Sequence, residues 1–316
     1  MNIYEQKKAN IRSSWAIIAI FVLFFIFIGL GIDRYYGAGF NMPVYTVMAF
    51  LVAVISGYAG YRNGDRLVLY STHARQLDLN DPRQKQWQNI VEEVSIAAGL
   101  PTPKTYLIDD PDPNAFATGR DPEHASIAVT QGLLGALNRD ELQAVAAHEM
   151  SHVRNFDTRL MLMVAVLVGS IALLSDWAAR MLFYRRTGRR SSSSGGGSSG
   201  GGAALIIIGI WLIAVILAPI LSQLMAMFVS RRREYLADAS GAELTRNPLA
   251  LAGALEKISS YTGPTRSINQ GTAHLCIEDP KGNSINLKEG RLADLFATHP
   301  PINKRIEILK QMAYAR

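Results

Sequence analysis

Cysteine is almost missing from this chain. Cys276 is the only one in 316 residues, so no disulfide can form within the chain. A lone thiol fits exposure to a reducing cytoplasm. His274 stands two residues before it, and local spacing of that kind does not mark a catalytic thiol. Also missing are a G-x-S-x-G elbow and a phosphate-binding glycine motif, so nothing supports a serine hydrolase or a nucleotide site. The net charge of +6 calls for no nucleic-acid partner. The basic residues flank apolar runs, where anionic lipid attracts them. His73 and His124 read as surface residues.

Charge is missing, too, from long stretches. Residues 14–32 carry none, and about twenty such residues cross a bilayer. No signal-type cleavage site follows, so this run reads as an anchor and not a removable signal peptide. Residues 43–61 form a second segment, 160–183 a third and 203–229 a fourth. The third carries Asp176 and Arg180 four residues apart, placed to pair at an interface. The chain thus divides into two spans within 1–62, a soluble part at 63–157, two more apolar segments within 158–230, and a second soluble part at 231–316.

Basic residues orient the spans. Lys7, Lys8 and Arg12 precede the first, Arg62 and Arg66 follow the second, and the link between them is nearly neutral around Asp33 and Arg34. The N-terminus and residues after 62 are therefore expected on the cytoplasmic side. Segments three and four supply an even number of crossings and return the chain to that side. Their connection carries Arg185, Arg186, Arg189 and Arg190, and then Ser191 to Gly202, made only of Ser and Gly. Those arginines disfavour an outside location, which keeps a re-entrant or surface-lying hairpin open as the alternative to full crossing.

Within the first soluble part lies His148-Glu149-Met150-Ser151-His152, the pattern HExxH. Asn138-Arg139-Asp140-Glu141 has the form of a capped helix start, and the run from Leu142 to Val153 contains no Gly or Pro. On a helix, positions i and i+4 share a face, so both histidines can reach one metal ion. Glu149 projects about 100° from His148, beside the metal and not on it, where a general base belongs. A catalytic zinc takes three protein ligands. Ser230-Arg231-Arg232-Arg233-Glu234-Tyr235-Leu236-Ala237-Asp238 offers Glu234 as the third. Asp238 lies four residues on, on the same face, and can accept the second ring N–H of a ligating histidine. His152 and Glu234 stand eight and four residues from the third and fourth segments, which puts the metal close to the headgroups.

Around this motif, residues 87–99 read as helix, and Thr105–Ile108 and Ser126–Thr130 as strands. Asn114-Ala115-Phe116-Ala117 fits either an edge strand or a plain loop. An exposed edge can pair with an extended peptide. Residues 303–313 are amphipathic.

The HEMSH motif, the apolar pair, Ser-Arg-Arg-Arg-Glu-Tyr-Leu-Ala-Asp, Asn114-Ala115-Phe116-Ala117 and Thr298-His299-Pro300-Pro301 together resemble the membrane zinc metalloproteases of the HtpX type, which are related to the CAAX prenyl endoproteases. The resemblance covers nearly the whole chain. It implies a mainly α membrane protein with a zincin-type (gluzincin) catalytic domain, a small β-sheet and four hydrophobic segments. It implies one Zn2+ per chain on His148, His152 and Glu234, with Glu149 as general base. It also implies Asn114 on a substrate-binding edge strand, and His299 near the site, binding substrate or steadying the oxyanion. The implied role is cleavage of membrane or misfolded proteins at the cytoplasmic face of the cell (inner) membrane, in quality control under stress. A processor of lipid-modified C-termini would use the same site. A transporter would carry polar groups mid-span, and these spans are almost bare. A scaffold with a dead protease fold would more readily have lost one of the four site residues. On this reading a Glu234→Ala variant loses its bound zinc, and unchanged zinc content by metal analysis overturns the ligand assignment.

Overall fold

The computed structural model describes residues 3–36, 42–167, 180, 209, 231–261, 267, 275–277 and 300–314. The Ser/Gly stretch, His274, His299 and nearly all of the third and fourth segments beyond residue 167 lie outside the described residues. The chain divides into two compact units, one of Met1–Trp15, Tyr61–Met163 and Ala226–Arg316, the other of Ala16–Gly60 and Val164–Met225.

The second unit takes in most of α1 (Ile3–Tyr36) and the first part of α2 (Val44–Ser71). Both helices are long and apolar enough to cross a membrane. Each outruns the charge-free segment it was expected to match. At 1.5 Å per residue, 28 residues of α2 reach about 42 Å, beyond the roughly 30 Å of hydrocarbon. The surplus carries Arg62 and Arg66 on α2, and Lys7, Lys8 and Arg12 on α1. Leu23, Phe27, Val52 and Ile55 expose most of their surface, as suits side chains solvated by lipid. Asp33 ends the first span and caps the second: its carboxylate accepts from Tyr45 N (3.1 Å), Thr46 N (2.8 Å) and Thr46 Oγ1 (2.6 Å). The start of the third segment, 160–167, is helical with Leu160, Leu162 and Leu167 buried.

The first unit holds a four-stranded sheet and the helices around it. Strands β1 (Arg75–Gln76), β2 (Lys104–Ile108), β3 (Ala115–Thr118) and β4 (Ser126–Thr130) stand in the order β1-β2-β4-β3. β2 and β4 are parallel, and β1 and β3 pair antiparallel at the two edges. Asn114–Ala117, which fitted either an edge strand or a loop, is mostly strand: β3 begins one residue later. α3 (Pro82–Ala98) starts five residues earlier than apolar spacing alone gives. Asp81 caps it through bonds from Arg83 N and Gln84 N, and Pro82 fills the first turn, where its missing N–H costs nothing.

α4 (Gln131–Ala136) leads into α5 (Arg139–Arg154), which carries the HExxH motif. Its capping box is complete: Asn138 accepts from Glu141 N at 3.0 Å, and Glu141 accepts from Asn138 N at 2.8 Å. α6 (Arg231–Thr245), α7 (Pro248–Ser260) and α8 (Ile302–Tyr314) complete the unit. α5 packs against α3, α6, α7 and β3. Its residues from Leu142 to Val153 are buried apart from Gln143. A helix covered on every side is a core element, and here Met150 and Val145 meet Trp87, Leu251 and Leu255 in one cluster.

The path from His152 to the third segment is not a single helix. α5 stops at Arg154, a turn follows at 155–156, and helix resumes at residue 157. Phe156 has φ +59°, which side chains with a Cβ rarely adopt.

The capping box can be tested in isolation from the chemistry. An Asn138→Ala variant should lose about 1 kcal/mol of stability in denaturant unfolding, while its bound metal stays unchanged.

Candidate active site

A buried helix that carries two imidazoles and a carboxylate must satisfy them locally, because each unpaired polar group in the interior is costly. The packing of α6 on α5 supplies the partners. His148 and His152 rise from one face of α5, with ring centroids 4.8 Å apart and ring planes at 87°. Their Nε2 atoms are 3.2 Å apart. Glu234 enters from α6: Oε2 is 3.7 Å from His148 Nε2, and Oε1 is 3.7 Å from His152 Nε2. Among the described residues these three form one group that could hold a metal ion, and all three are buried.

The other ring nitrogens explain why. His148 Nδ1 lies 3.0 Å from Asp238 Oδ1, and His152 Nδ1 lies 3.1 Å from Asp157 Oδ2. Each carboxylate favours the proton on Nδ1, which leaves both Nε2 lone pairs aimed at one point. Facing lone pairs at 3.2 Å repel unless a cation sits between them. Ligand atoms about 2.1 Å from a tetrahedral zinc stand about 3.4 Å apart, close to the spacing found. The donor set fits a metal.

Asp238 therefore faces His148, as the spacing of Glu234 and Asp238 allowed. Asp157 and Arg305 were not foreseen. Arg305, on α8, holds both oxygens of Asp238 (2.8 and 2.7 Å), reaches Glu234 Oε2 at 3.7 Å and donates to Ile277 O at 3.0 Å. Its signal was present in the sequence. Arg305 sits on the stripe Ile302, Ile306, Leu309 of an amphipathic helix, and a charge on the buried face implies a buried partner. Burial raises the cost of ionising Asp238, but the Arg305 guanidinium, followed by His148, holds its carboxyl below the ordinary range.

Glu149 is 1 % exposed, and among the described residues neither of its oxygens has a hydrogen-bond partner of good geometry. Burial pushes its pKa up. The charges of His148 and His152 oppose the rise, Glu234 adds to it, and the Ala117 N–H acts on the carboxylate without forming a well-aligned bond. A desolvated carboxylate with free lone pairs is the state a general base needs.

Ala117 belongs to β3, whose odd residues face away from β4. Asn114 instead turns its main chain toward β4: Thr130 N donates to Asn114 O at 2.9 Å, and Asn114 N donates to Thr130 Oγ1 at 2.8 Å. The Asn114 side chain accepts from Ala115 N at 3.0 Å. On the outer edge, Ala115 O accepts from Ile277 N at 3.0 Å, and Phe116 is bridged to Cys276. Cys276 is buried there.

Gly241 sets how near the two helices come. A Cβ on it would lie 3.0 Å from His148 N and 3.2 Å from His148 Cα. Glu234, Asp238 and Gly241 follow one face of α6, so the helix that brings the ligand also carries the spacer.

Two histidines on one helix, a carboxylate from a second and a buried glutamate beside a strand form a group that could hold a metal ion, as a metallopeptidase requires. The chain belongs to peptidase family M48, whose model matches residues 81–313. Full-length relatives include three proteins called protease HtpX homolog. That of Caldanaerobacter subterraneus subsp. tengcongensis is 41% identical over 310 residues, 98% of each chain. That of Dictyoglomus turgidum is 40% identical, over 98% of this chain and 94% of its own. That of Streptococcus thermophilus is 39% identical, over 98% and 100%. The crystal structure of S. mikatae Ste24p gives a TM-score of 0.48 at 17% identity, with 96% of this chain matched to 66% of that one. The protein is a membrane metallopeptidase.

In the metal-free protein, burial disfavours the charged His152 ring, but the Asp157 hydrogen bond and the charges of Glu234, Asp157 and Glu149 outweigh it and push its pKa from 6.5 up to about 9. A raised pKa stabilises the fold fully below 6.5, and this contribution is lost as pH climbs toward 9. Glu149, also raised, moves stability in the same direction. Thermal unfolding under chelator should therefore show a midpoint that falls between about pH 6.5 and 9. Metal-loaded protein, in which a cation replaces that proton, should show a smaller fall.

Proposed function

We propose that this chain is a zinc-dependent endopeptidase of the cytoplasmic membrane, cutting membrane or misfolded proteins at the cytoplasmic face in membrane-protein quality control. The observation that carries the reading is the pair of Nε2 atoms 3.2 Å apart, with Glu234 at 3.7 Å and the unbonded carboxylate of Glu149 beside them. His148, His152 and Glu234 would hold the zinc, and Asp238 would fix the ring of His148. When bound there, zinc supplies Lewis acidity to water and to a scissile carbonyl oxygen.

The protein groups do the rest. Glu149 takes a proton from the attacking water on its carboxylate and delivers it to the leaving amine nitrogen. Its burial keeps the carboxylate poorly solvated and so more basic. An extended substrate pairs with the outer edge of β3 by displacing Ile277 from Ala115 O. Asn114 serves that edge by orienting Ala115 through its side chain, not by pairing with substrate itself. His299 lies outside the described residues. Its proposed part, binding substrate or steadying the oxyanion, is supported by its closeness in sequence to Arg305, which reaches Glu234 at 3.7 Å.

The cytoplasmic placement is supported by Lys7, Lys8, Arg12, Arg62 and Arg66 at the ends of α1 and α2 that join the first unit. The short stretches of sequence that separate His152 and Glu234 from the third and fourth apolar segments support substrates that are themselves membrane-embedded.

The test is cleavage of an unfolded model membrane protein by detergent-purified enzyme, prepared under chelator and then given zinc. A Glu149→Gln variant should keep one zinc per chain and lose at least about a hundredfold in rate, as expected for a missing general base. Equal cleavage by both forms would move the activity to another site. Zinc bound by both with cleavage by neither would favour a processor of restricted specificity.

A further inference from the structure

The two histidines of the site are braced from opposite ends of the chain. His148 rests on Asp238, which Arg305 of the C-terminal helix clamps through both oxygens. His152 rests on Asp157, and the group that fixes Asp157 comes from α1. Asn10 Nδ2 donates to Asp157 Oδ1 at 2.6 Å and to Asn155 O at 2.9 Å. Asn10 and Asp157 are buried, at 4 % and 1 % exposure. The amide thus spends both hydrogens on the turn that follows the HExxH helix.

That turn is held in an unusual shape. Phe156 adopts φ +59°, and the kink returns Asp157 toward His152 instead of carrying it one turn further along α5. The N-terminal part of α1 is packed over it. Lys7 Nζ lies 4.7 Å from the Phe156 ring centroid, and the Arg159 guanidinium lies 5.4 Å from the Trp15 ring and 5.2 Å from that of Tyr61. Ser14 Oγ donates to Asn10 O at 2.8 Å. All of these residues belong to the first unit.

A carboxylate bonded through one oxygen to an imidazole can still swing about its Cβ, and the ring swings with it. A second, short bond on the other oxygen removes that freedom. Arg233 stands 3.9 Å from Asp157 Oδ1, beyond hydrogen-bond range, so it supplies field and not direction. The difference from the other histidine is chemical as well. Asp238 is neutralised by a two-bond pair with Arg305, whereas Asp157 is held by a neutral amide and keeps more of its charge for His152.

We infer that Asn10 is a positioning residue of the metal centre: through Asp157 it fixes the ring of His152, so the end of the first membrane helix sets the affinity of the site for its metal. This rests on the metal site proposed above. Asn10 touches neither substrate nor metal. Its effect is on how well His152 is pre-aimed, and groups that orient a ligand in this way commonly change metal affinity 10- to 100-fold.

The experiment measures zinc affinity of the full chain in detergent, by competition with a chromogenic chelator, and the visible absorption of the cobalt-loaded protein. The variants are Asn10→Ala, Asn10→Asp, Asp157→Asn, Lys7→Ala and His152→Ala. Asn10→Asp keeps the shape of the side chain and turns an acceptor toward the Asp157 carboxylate, so it carries the test if the alanine variant does not fold. Both Asn10 variants should bind zinc roughly tenfold more weakly and shift the cobalt spectrum in the direction of Asp157→Asn, while one zinc still binds at saturation. Lys7→Ala removes the cation–ring contact on Phe156 but no hydrogen bond of the relay, and should stay within about twofold of wild type in zinc affinity. Wild-type zinc affinity and cobalt spectrum in the Asn10 variants would overturn the inference, as would an equal loss in Lys7→Ala. If the wild type binds no zinc, or His152→Ala binds it as tightly, the metal-site reading itself fails, and that result is distinct from unchanged affinity in the Asn10 variants alone.

Discussion

Two lone pairs forced to face each other in the interior are the constraint on which this structure turns. His148 and His152 are turned toward one point with their other nitrogens 3.0 and 3.1 Å from the carboxylates of Asp238 and Asp157. Bringing those carboxylates into the interior creates a second demand, since each must be bonded on both oxygens. Arg305 answers on one side and Asn10 on the other, from residues 295 positions apart in the chain. Residues near both ends of the chain thus brace the two histidines of one helix, while α3, α6, α7 and β3 bury the helix itself.

The parts that could be read in the sequence are local ones. HExxH, the capping box at Asn138, the strands at β2 and β4 and the amphipathic α8 depend on residues within a few positions of each other. So does the pairing of Glu234 with Asp238 on one face of α6. What escaped depends on contacts across long separations. Asp157 is five residues from His152, a spacing that no continuous helix would turn back toward the ring; only the break at Asn155 and Phe156 does that. Asn10 lies in a helix whose composition speaks of lipid, and nothing around it marks a buried amide. The early start of α3 was within reach, since Asp81-Pro82 is a capping pair, but apolar spacing alone is blind to it.

The edge of β3 is partly covered by its own chain. Ile277 bonds Ala115 O, and Arg305 holds the carbonyl of the same residue. One guanidinium is therefore shared between the carboxylate behind His148 and the segment lying on the strand edge. A strand that displaced Ile277 from β3 would therefore also disturb a partner of Arg305, the residue paired with Asp238.

Gly241 gives the centre its scale. The atoms that could hold a metal belong to His148, His152 and Glu234, but the two helices that offer them meet where a missing methyl group lets α6 rest on the backbone of α5. Side-chain identity and helix spacing are therefore separate variables here: a residue larger than glycine at 241 would leave all three side chains unchanged and still press the two main chains apart.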